Sequence, residues 1–435
     1  MMRSLILACL AVTASAAAHA QKARYIFYFD QYHTTILPNK TVTAGITHVI
    51  TAFANSSLFT TDPVGEYVPF MDLALVRALF DPGTKVCMAI GGWGDTAGFS
   101  VGAANDTSRK LFAKNVATTV KKLGYDCVDV DWEYPGGNGN DYKQTPNSGK
   151  VFEIQTYPLL LAEIKKAIKC HSHELSIAVP GREADFIAYT AEQVPKIDKI
   201  VDFVNVMSYD LMNRRDNKTT HHTSLKGSLA AIEKYIELGF TPSKLNLGFA
   251  MYAKWFTTVP GQNCTEPIGC PTVALENPDG TDPGKSGALT LEAGNIAPAP
   301  PPATLKGTTD GTCGYGTGLR CLATDCCSQY GHCGNGNDYC GATCQPGYGR
   351  CDGFTVKGSF SKALANSQYD SDNGGQWYWD SDGIFWTWDT PEIIAKKFDE
   401  IVKPKELGGV FAWSLGEDSY DWSNFLALQA GVKRL

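Results

Sequence analysis

Four carboxylates fall within Asp126–Glu133, in the segment DCVDVDWEY. Asp129, Asp131 and Glu133 occupy every second position, with Val128, Val130 and Trp132 between them. Successive side chains of a β-strand point to opposite faces, so a strand here puts the three acids on one face and the apolar residues on the other. Asp126 is out of phase with that set and is expected near the strand start, in a structural role. Like charges resist joint ionisation and burial disfavours charge, so three crowded carboxyls hold at least one proton near neutral pH. Glu133 lies furthest toward the C-terminal end of the strand, where a substrate can reach it. A carboxylic acid kept protonated among carboxylates is the chemistry that glycosidic bond cleavage requires. The competing reading, a Ca²⁺ site, usually draws its oxygens from a flexible loop, whereas these acids follow a strand pattern.

Such a strand needs neighbours to hold it. Short β-branched or aromatic runs recur at Arg24–Phe29, Thr47–Phe53, Lys85–Gly91, Asp126–Trp132, Leu175–Pro180, Phe203–Tyr209, Leu245–Ala250 and Gly409–Ser414. Between most of them lie helix-period segments, among them Asp106–Leu123, Val151–Lys169, Lys226–Leu238 and Pro391–Val402. This alternation predicts an α/β fold, a (β/α)8 TIM barrel, with the active site at the C-terminal mouth of its strands. The catalytic domain is expected over residues 22–435. The stretch from Lys254 to Trp386 is far too long for a loop. It predicts an α+β insertion on the barrel rim after the seventh strand, over residues 255–385. Ala297–Thr304, APAPPPAT, reads as a stiff spacer within it, and the aromatic runs Gly358–Phe360 and Gln376–Trp388 as extra strands.

The 435 residues carry a net charge of −7, which argues against a nucleic-acid partner, since phosphate binding wants a basic surface. Arg3, the apolar run Leu5–Val12 and the small-x-small site Ala18-His19-Ala20 read as a signal peptide over residues 1–20, with a mature chain from about Gln21. No apolar stretch approaches the ~20 residues that span a bilayer, so a secreted, extracellular protein with no membrane partner is expected. Sequons at Asn39, Asn55, Asn105, Asn217 and Asn263 agree with that. Of fourteen cysteines, eight crowd into Cys313–Cys351, the density of a small module stapled by disulfides. No CxxC pairs with suitable histidine spacing occur, so no metal is expected, and no cofactor.

At the acidic segment the chain resembles glycoside hydrolase family 18, the chitinase family (fungal type), whose DxxDxDxE signature is matched in full by Asp126, Asp129, Asp131 and Glu133. KVCMAIGGW (Lys85–Trp93) resembles the third-strand SxGG motif, VMSYDL (Val206–Leu211) the sixth-strand motif, and GGVFAWSLGED the eighth-strand motif with Trp413. The resemblance implies a retaining, substrate-assisted hydrolysis of β-1,4-linked N-acetylglucosamine, in which the substrate's own acetamido oxygen is the nucleophile. It implies Glu133 as acid and base, Asp131 as the residue that orients the acetamido group, Asp129 as its proton-sharing partner and Tyr209 as the acetamido carbonyl's donor. Tyr28, Phe53, Gly92, Trp93, Met207, Asp210, Tyr252 and Trp413 are the implied sugar-binding set, with Trp413 as the floor of the −1 subsite. Two departures stand out. Ala89 replaces the usual Ser and removes a hydroxyl that can back Asp129, and Lys254 keeps the charge of the usual Arg without its bidentate fork.

The cysteine window resembles hevein-like, type 1 chitin-binding modules, here over residues 310–353. That resemblance implies the pairs Cys313–Cys327, Cys321–Cys333, Cys326–Cys340 and Cys344–Cys351, and a sugar platform of Ser328, Tyr330, His332 and Tyr339. A module so placed is expected beside the substrate cleft, holding a chain across it. Cys264 and Cys270 are expected to pair. Cys87 and Cys127 are either a disulfide or two buried thiols, and Cys170 has no evident partner. The expected partners are chitin and chito-oligosaccharides, with the chain a monomer. Two other readings share these motifs: an endo-β-N-acetylglucosaminidase acting on N-glycans, and an inactive chitin-binding lectin or decoy, which the intact Glu133 disfavours.

Overall fold

The computed structural model describes residues 23–169 and 173–435; the expected signal peptide and Cys170 lie outside them. Eight parallel strands close a barrel in the order Arg24–Asp30, His48–Ala54, Lys85–Gly91, Cys127–Asp131, Glu174–Pro180, Phe203–Met207, Leu245–Ala250 and Gly409–Trp413, the last pairing with the first. This is the (β/α)8 barrel expected from the alternation, with strand ends shifted by one or two residues.

Strand alternation divides the core in two. On the first strand Tyr25, Phe27 and Phe29 join the layer between barrel and helices, while Ile26 and Tyr28 point into the barrel. On the fourth strand Val128, Val130 and Trp132 join the outer layer and Cys127 the inner one. Trp132 stacks on Phe99 at 5.2 Å and meets Tyr157 edge-on, which anchors the outer face of the acidic strand. The helices that cover this layer are locally specified. Asp106–Leu123 starts with a capping box between Asn105 and Ser108 and stops at Gly124, whose φ of 83° a Cβ would disfavour.

Cys87 and Cys127 are directly opposed in the register of the third and fourth strands and form a disulfide inside the barrel, which decides between the two alternatives left by the sequence. Asp126 takes the expected structural role, accepting from Arg77 at 2.7 Å and from the Val86 amide at 2.8 Å.

The insertion builds a second, antiparallel sheet in the order Gln368–Asp370, Gly375–Trp379, Ile384–Trp388, Tyr252–Thr257, Ser286–Thr290. It therefore takes in residues on both sides of the expected 255–385 span. Gln376–Trp388 supplies two strands as expected, but Gly358–Phe360 does not form one. It lies in the helix Val356–Ala365, capped by Thr355, and Phe360 packs on Trp386 at 4.7 Å to cover the sheet. Its apolar positions Val356, Phe360 and Ala363 follow helical spacing, a period hidden by reading the aromatic run alone.

The cysteine-rich region carries four disulfides, Cys313–Cys327, Cys321–Cys333, Cys326–Cys340 and Cys344–Cys351, the pairs that the resemblance implies. Its main core cluster holds only Leu305 and Tyr348 besides cysteines. Closing loops of this size stabilises by ~3 kcal/mol each, so the staples rather than apolar burial hold it. Cys264 and Cys270 also pair.

Candidate active site

The barrel mouth opens into a cleft of about 770 Å³ lined by Asp131, Glu133, Tyr28, Phe53, Trp93, Met207, Tyr209, Asp210, Tyr252 and Trp413, among others. Ten of the twelve barrel positions expected from the sequence thus converge on it. Asp129 and Gly92 lie behind its wall.

Asp129 is fully buried. Ser176 Oγ donates to its Oδ1 at 2.6 Å and Tyr28 OH to its Oδ2 at 2.8 Å. The Tyr28 hydroxyl in turn accepts from Asn205 Nδ2 at 3.1 Å, Asn246 donates to Asn205 at 2.9 Å, and Arg24 Nε donates to Asn246 at 2.9 Å. A column of polar side chains thus runs through the barrel interior from Arg24 up to the acidic strand. Burial lifts the Asp129 carboxyl to about 6, and the Ser176 and Tyr28 bonds restrain that rise.

Ser176 answers the question raised by Ala89. Both are register partners of Asp129, Ala89 on the third strand and Ser176 on the fifth, so the hydroxyl missing on one side is supplied from the other. Neither Ser176 nor the Asn205–Asn246 pair was singled out from the sequence. The only signal they carry is a polar residue at an inward position of a strand, which gains meaning once the register is known.

Above Asp129, burial and the charges of Glu133 and Asp129 raise Asp131 well above the ordinary carboxylate range. Among the described residues none hydrogen-bonds to its buried Oδ1. Burial, then the charges of Asp210 and Asp185, lift Glu133 to about 8 against a bond from Tyr134. That position favours the protonated carboxyl at neutral pH. Gly91 and Gly92 let the third strand close on this group. Gly92 N donates to Asp131 O at 2.8 Å, and a Cβ on Gly92 would lie 2.5 Å from the Phe53 ring. Gly92 serves the site by making room for that ring.

Phe53 stacks on Trp413 with ring centroids 5.6 Å apart, and Tyr28 lies equally close to Trp413 at a tilt. By strict alternation with Ile50 and Ala52, Phe53 would face outward. A register irregularity between Thr51 and Ala54 turns it to the cleft, the usual effect of a bulge. On the sixth-strand side, Asp210 accepts from Tyr252 OH at 2.9 Å and pairs with Lys254 Nζ at 3.1 Å. Burial works against ionisation of Asp210, but Lys254 and His222 outweigh it and hold the carboxyl low. Lys254 thus keeps the charge interaction that an Arg would make. At the far rim, the Arg215 guanidinium lies 5.7 Å over Trp93 and 4.0 Å over Tyr142, while donating to Asn138 O and Gly139 O just beyond the acidic strand.

In the cysteine-rich module, Tyr330 and His332 are exposed. Tyr339 is half-buried against Cys326, Cys340 and Cys344, and Ser328 is buried, its Oγ accepting from His332 N at 3.3 Å. The four expected platform residues are therefore not equally presented. All five sequon asparagines are exposed. No described helix is long and apolar enough to cross a membrane.

The family model described as Glycosyl hydrolases family 18 matches residues 24–418. The chain is 27% identical over 299 residues to Chitotriosidase-1 of Mus musculus, covering 63% of this chain and 60% of that protein. It is 31% identical over 188 residues to Endochitinase 1 of Metarhizium robertsii, covering 41% and 42%. The matches thus span about two fifths to three fifths of these relatives' lengths. Among solved structures, the Ostrinia furnacalis Group II chitinase catalytic domain 2 superposes with a TM-score of 0.66 at 18% identity, covering 95% of this chain and 97% of that one. A Cycas revoluta chitinase in complex with (GlcNAc)3 superposes at 0.60 and 19%, covering 94% and 99%. At such identities the superpositions speak for the fold.

Proposed function

The chain belongs to the glycosyl hydrolases family 18, and from that premise we propose that it is a secreted chitinase that cleaves β-1,4 bonds between N-acetylglucosamine units with retention of configuration. One observation carries the reading: Glu133, its carboxyl lifted by burial to about 8, lines the cleft together with Asp131, whose buried Oδ1 has no hydrogen-bond partner among the described residues. An uncompensated buried carboxyl oxygen is costly, and an acetamido N–H arriving there would relieve it. The −1 sugar would lie on Trp413, with Tyr209 donating to its acetamido carbonyl oxygen. That oxygen would attack the sugar's own anomeric carbon as Glu133 gives its proton to the leaving oxygen. Asp131 would face the positive charge of the resulting oxazolinium-like ring, with Asp129 tuning it from behind. Water then enters, Glu133 takes its proton, and the product keeps the β configuration. The exposed Tyr330 and His332 of the cysteine-rich module support chitin binding there, and the six disulfides among the described residues fit an oxidising, extracellular compartment.

The test is proton NMR of chitotetraose during the first turnovers. The β-anomer is expected to accumulate before mutarotation. A first-formed α-anomer would exclude the mechanism, and an untouched tetramer would exclude the activity.

The Asp129 network yields a second expectation. Ser176→Ala removes a charge-assisted bond and should lower kcat by about tenfold, with the acidic limb of the pH profile moved upward because Asp129 ionises less readily. Adding Ala89→Ser on the opposite strand should recover part of the loss. If Ser176→Ala leaves both rate and pH profile unaltered, the hydroxyl does not tune the site.

A further inference from the structure

A second groove, of about 810 Å³, lies between the barrel rim and the cysteine-rich module. Tyr32, Gly287, Ala288 and Thr290 line both this groove and the catalytic cleft, so the two spaces share a wall. They meet at the Tyr32 side of the cleft; Trp93 and Arg215 line the cleft alone. The module turns its two exposed platform residues, Tyr330 and His332, into the groove. Tyr32 and Tyr330 are 79% and 78% exposed, unusual for large rings with no protein surface to cover.

Both sides are held in place. Asp30 Oδ1 accepts from the amides of Tyr32 and His33, and its other oxygen accepts from Ser414, the residue after Trp413. The Tyr32 turn is thereby tied to the floor of the cleft. On the module, Gln345 donates to Ser328 O at 2.8 Å and accepts from Lys357 Nζ at 3.5 Å. Lys357 also donates to Gly294 O at 2.9 Å, and neighbouring Ala293 is bonded through its amide to Ser419 of the barrel. The shared wall belongs to Ser286–Thr290, an edge strand of the insertion sheet paired on one side only. On its other edge Thr290 O accepts from Asn295 Nδ2 at 3.2 Å, and the remaining backbone N–H and C=O groups can bond a ligand rich in amides.

We propose that module and cleft hold one and the same β-1,4-linked N-acetylglucosamine chain, which leaves the Trp413 floor past Tyr32 and continues along Ala288 and Thr290 to Tyr330 and His332. This rests on the chitinase reading above and adds to it a set of remote stacking subsites. The module then acts as an extension of the cleft, converting a second binding event into an intramolecular one.

The experiment is calorimetry on the Glu133→Gln chain, which keeps its ligand intact, with the N-acetylglucosamine tetramer and octamer. One octamer per chain is expected, bound about tenfold or more tighter than the tetramer. Tyr330→Ala and Tyr32→Ala should each reduce the octamer-to-tetramer affinity ratio by roughly three- to tenfold, and the pair should be non-additive. Two octamers per chain, or a ratio untouched by Tyr330→Ala, overturns the shared path. The two readings fail differently. If the wild type leaves the tetramer uncleaved but the ratio behaves as stated, the hydrolase falls and the groove stands. If the tetramer is cleaved and the ratio is insensitive, the groove falls alone.

Discussion

Glu133→Gln is expected to lower kcat on chito-oligosaccharides by roughly 10²–10⁴-fold, the usual contribution of a general acid, with little change in KM. The amide is nearly isosteric, so the cleft, the Phe53–Trp413 stack and the Asp210–Lys254 pair stay as they are. What is lost is the transferable proton. In the wild type, burial and the charges of Asp210 and Asp185 lift that proton's pKa to about 8, so the rate should fall as pH rises through that value. The residual rate of the variant should lack this limb. Steady-state kinetics from pH 4 to 10 on both proteins checks the two statements together. A variant that keeps more than a tenth of the rate would remove Glu133 from its role.

Thermal stability is expected to be greater at pH 5 than at pH 8.5, by several degrees in Tm. Burial raises several carboxyls above their unfolded values, among them Asp129 to about 6, Glu133, Glu417 and Asp418 each to about 8, and Asp131 well above the ordinary range. Between the unfolded values and these, the folded chain binds more protons than the unfolded one, so stability falls as pH rises. His33 acts in the same direction. Burial opposes its charge, but the Asp30 bond and the charge of Glu417 win and raise it to about 9. Its contribution is complete below its unfolded value and lost as pH climbs through about 9. Asp210 and Glu174, both depressed, give stability that is lost only in acid, which places the maximum near pH 5. Calorimetric melts across this range decide it, and a Tm at pH 8.5 equal to or above that at pH 5 would overturn the account. Glu417→Gln should flatten the slope, since that buried carboxyl has an oxygen with no partner among the described residues.

The barrel was legible because its signals are local. Eight β-branched runs separated by helix-period segments appear in sequence order, and each barrel strand formed within one or two residues of its expected ends. The insertion was legible as a length, less so as a structure. Gly358–Phe360 reads as strand by composition, yet its neighbours place it in a helix that covers the second sheet. The disulfides of the module came from a resemblance in spacing, whereas the Cys87–Cys127 bond needed the register of adjacent strands.

The acidic segment Asp126–Glu133 shows the division clearly. The sequence alone determined that Asp129, Asp131 and Glu133 share a face and that Asp126 does not, because a strand's period of two is a property of the chain itself. Only the tertiary structure decided that Asp129 takes its hydroxyls from Ser176 and Tyr28, that a register irregularity aims Phe53 at Trp413, and that Tyr330 faces a groove joined to the cleft. Those facts depend on how distant strands align when the barrel closes and on where the insertion docks. Contacts between residues far apart in the chain set both, and no local pattern encodes them.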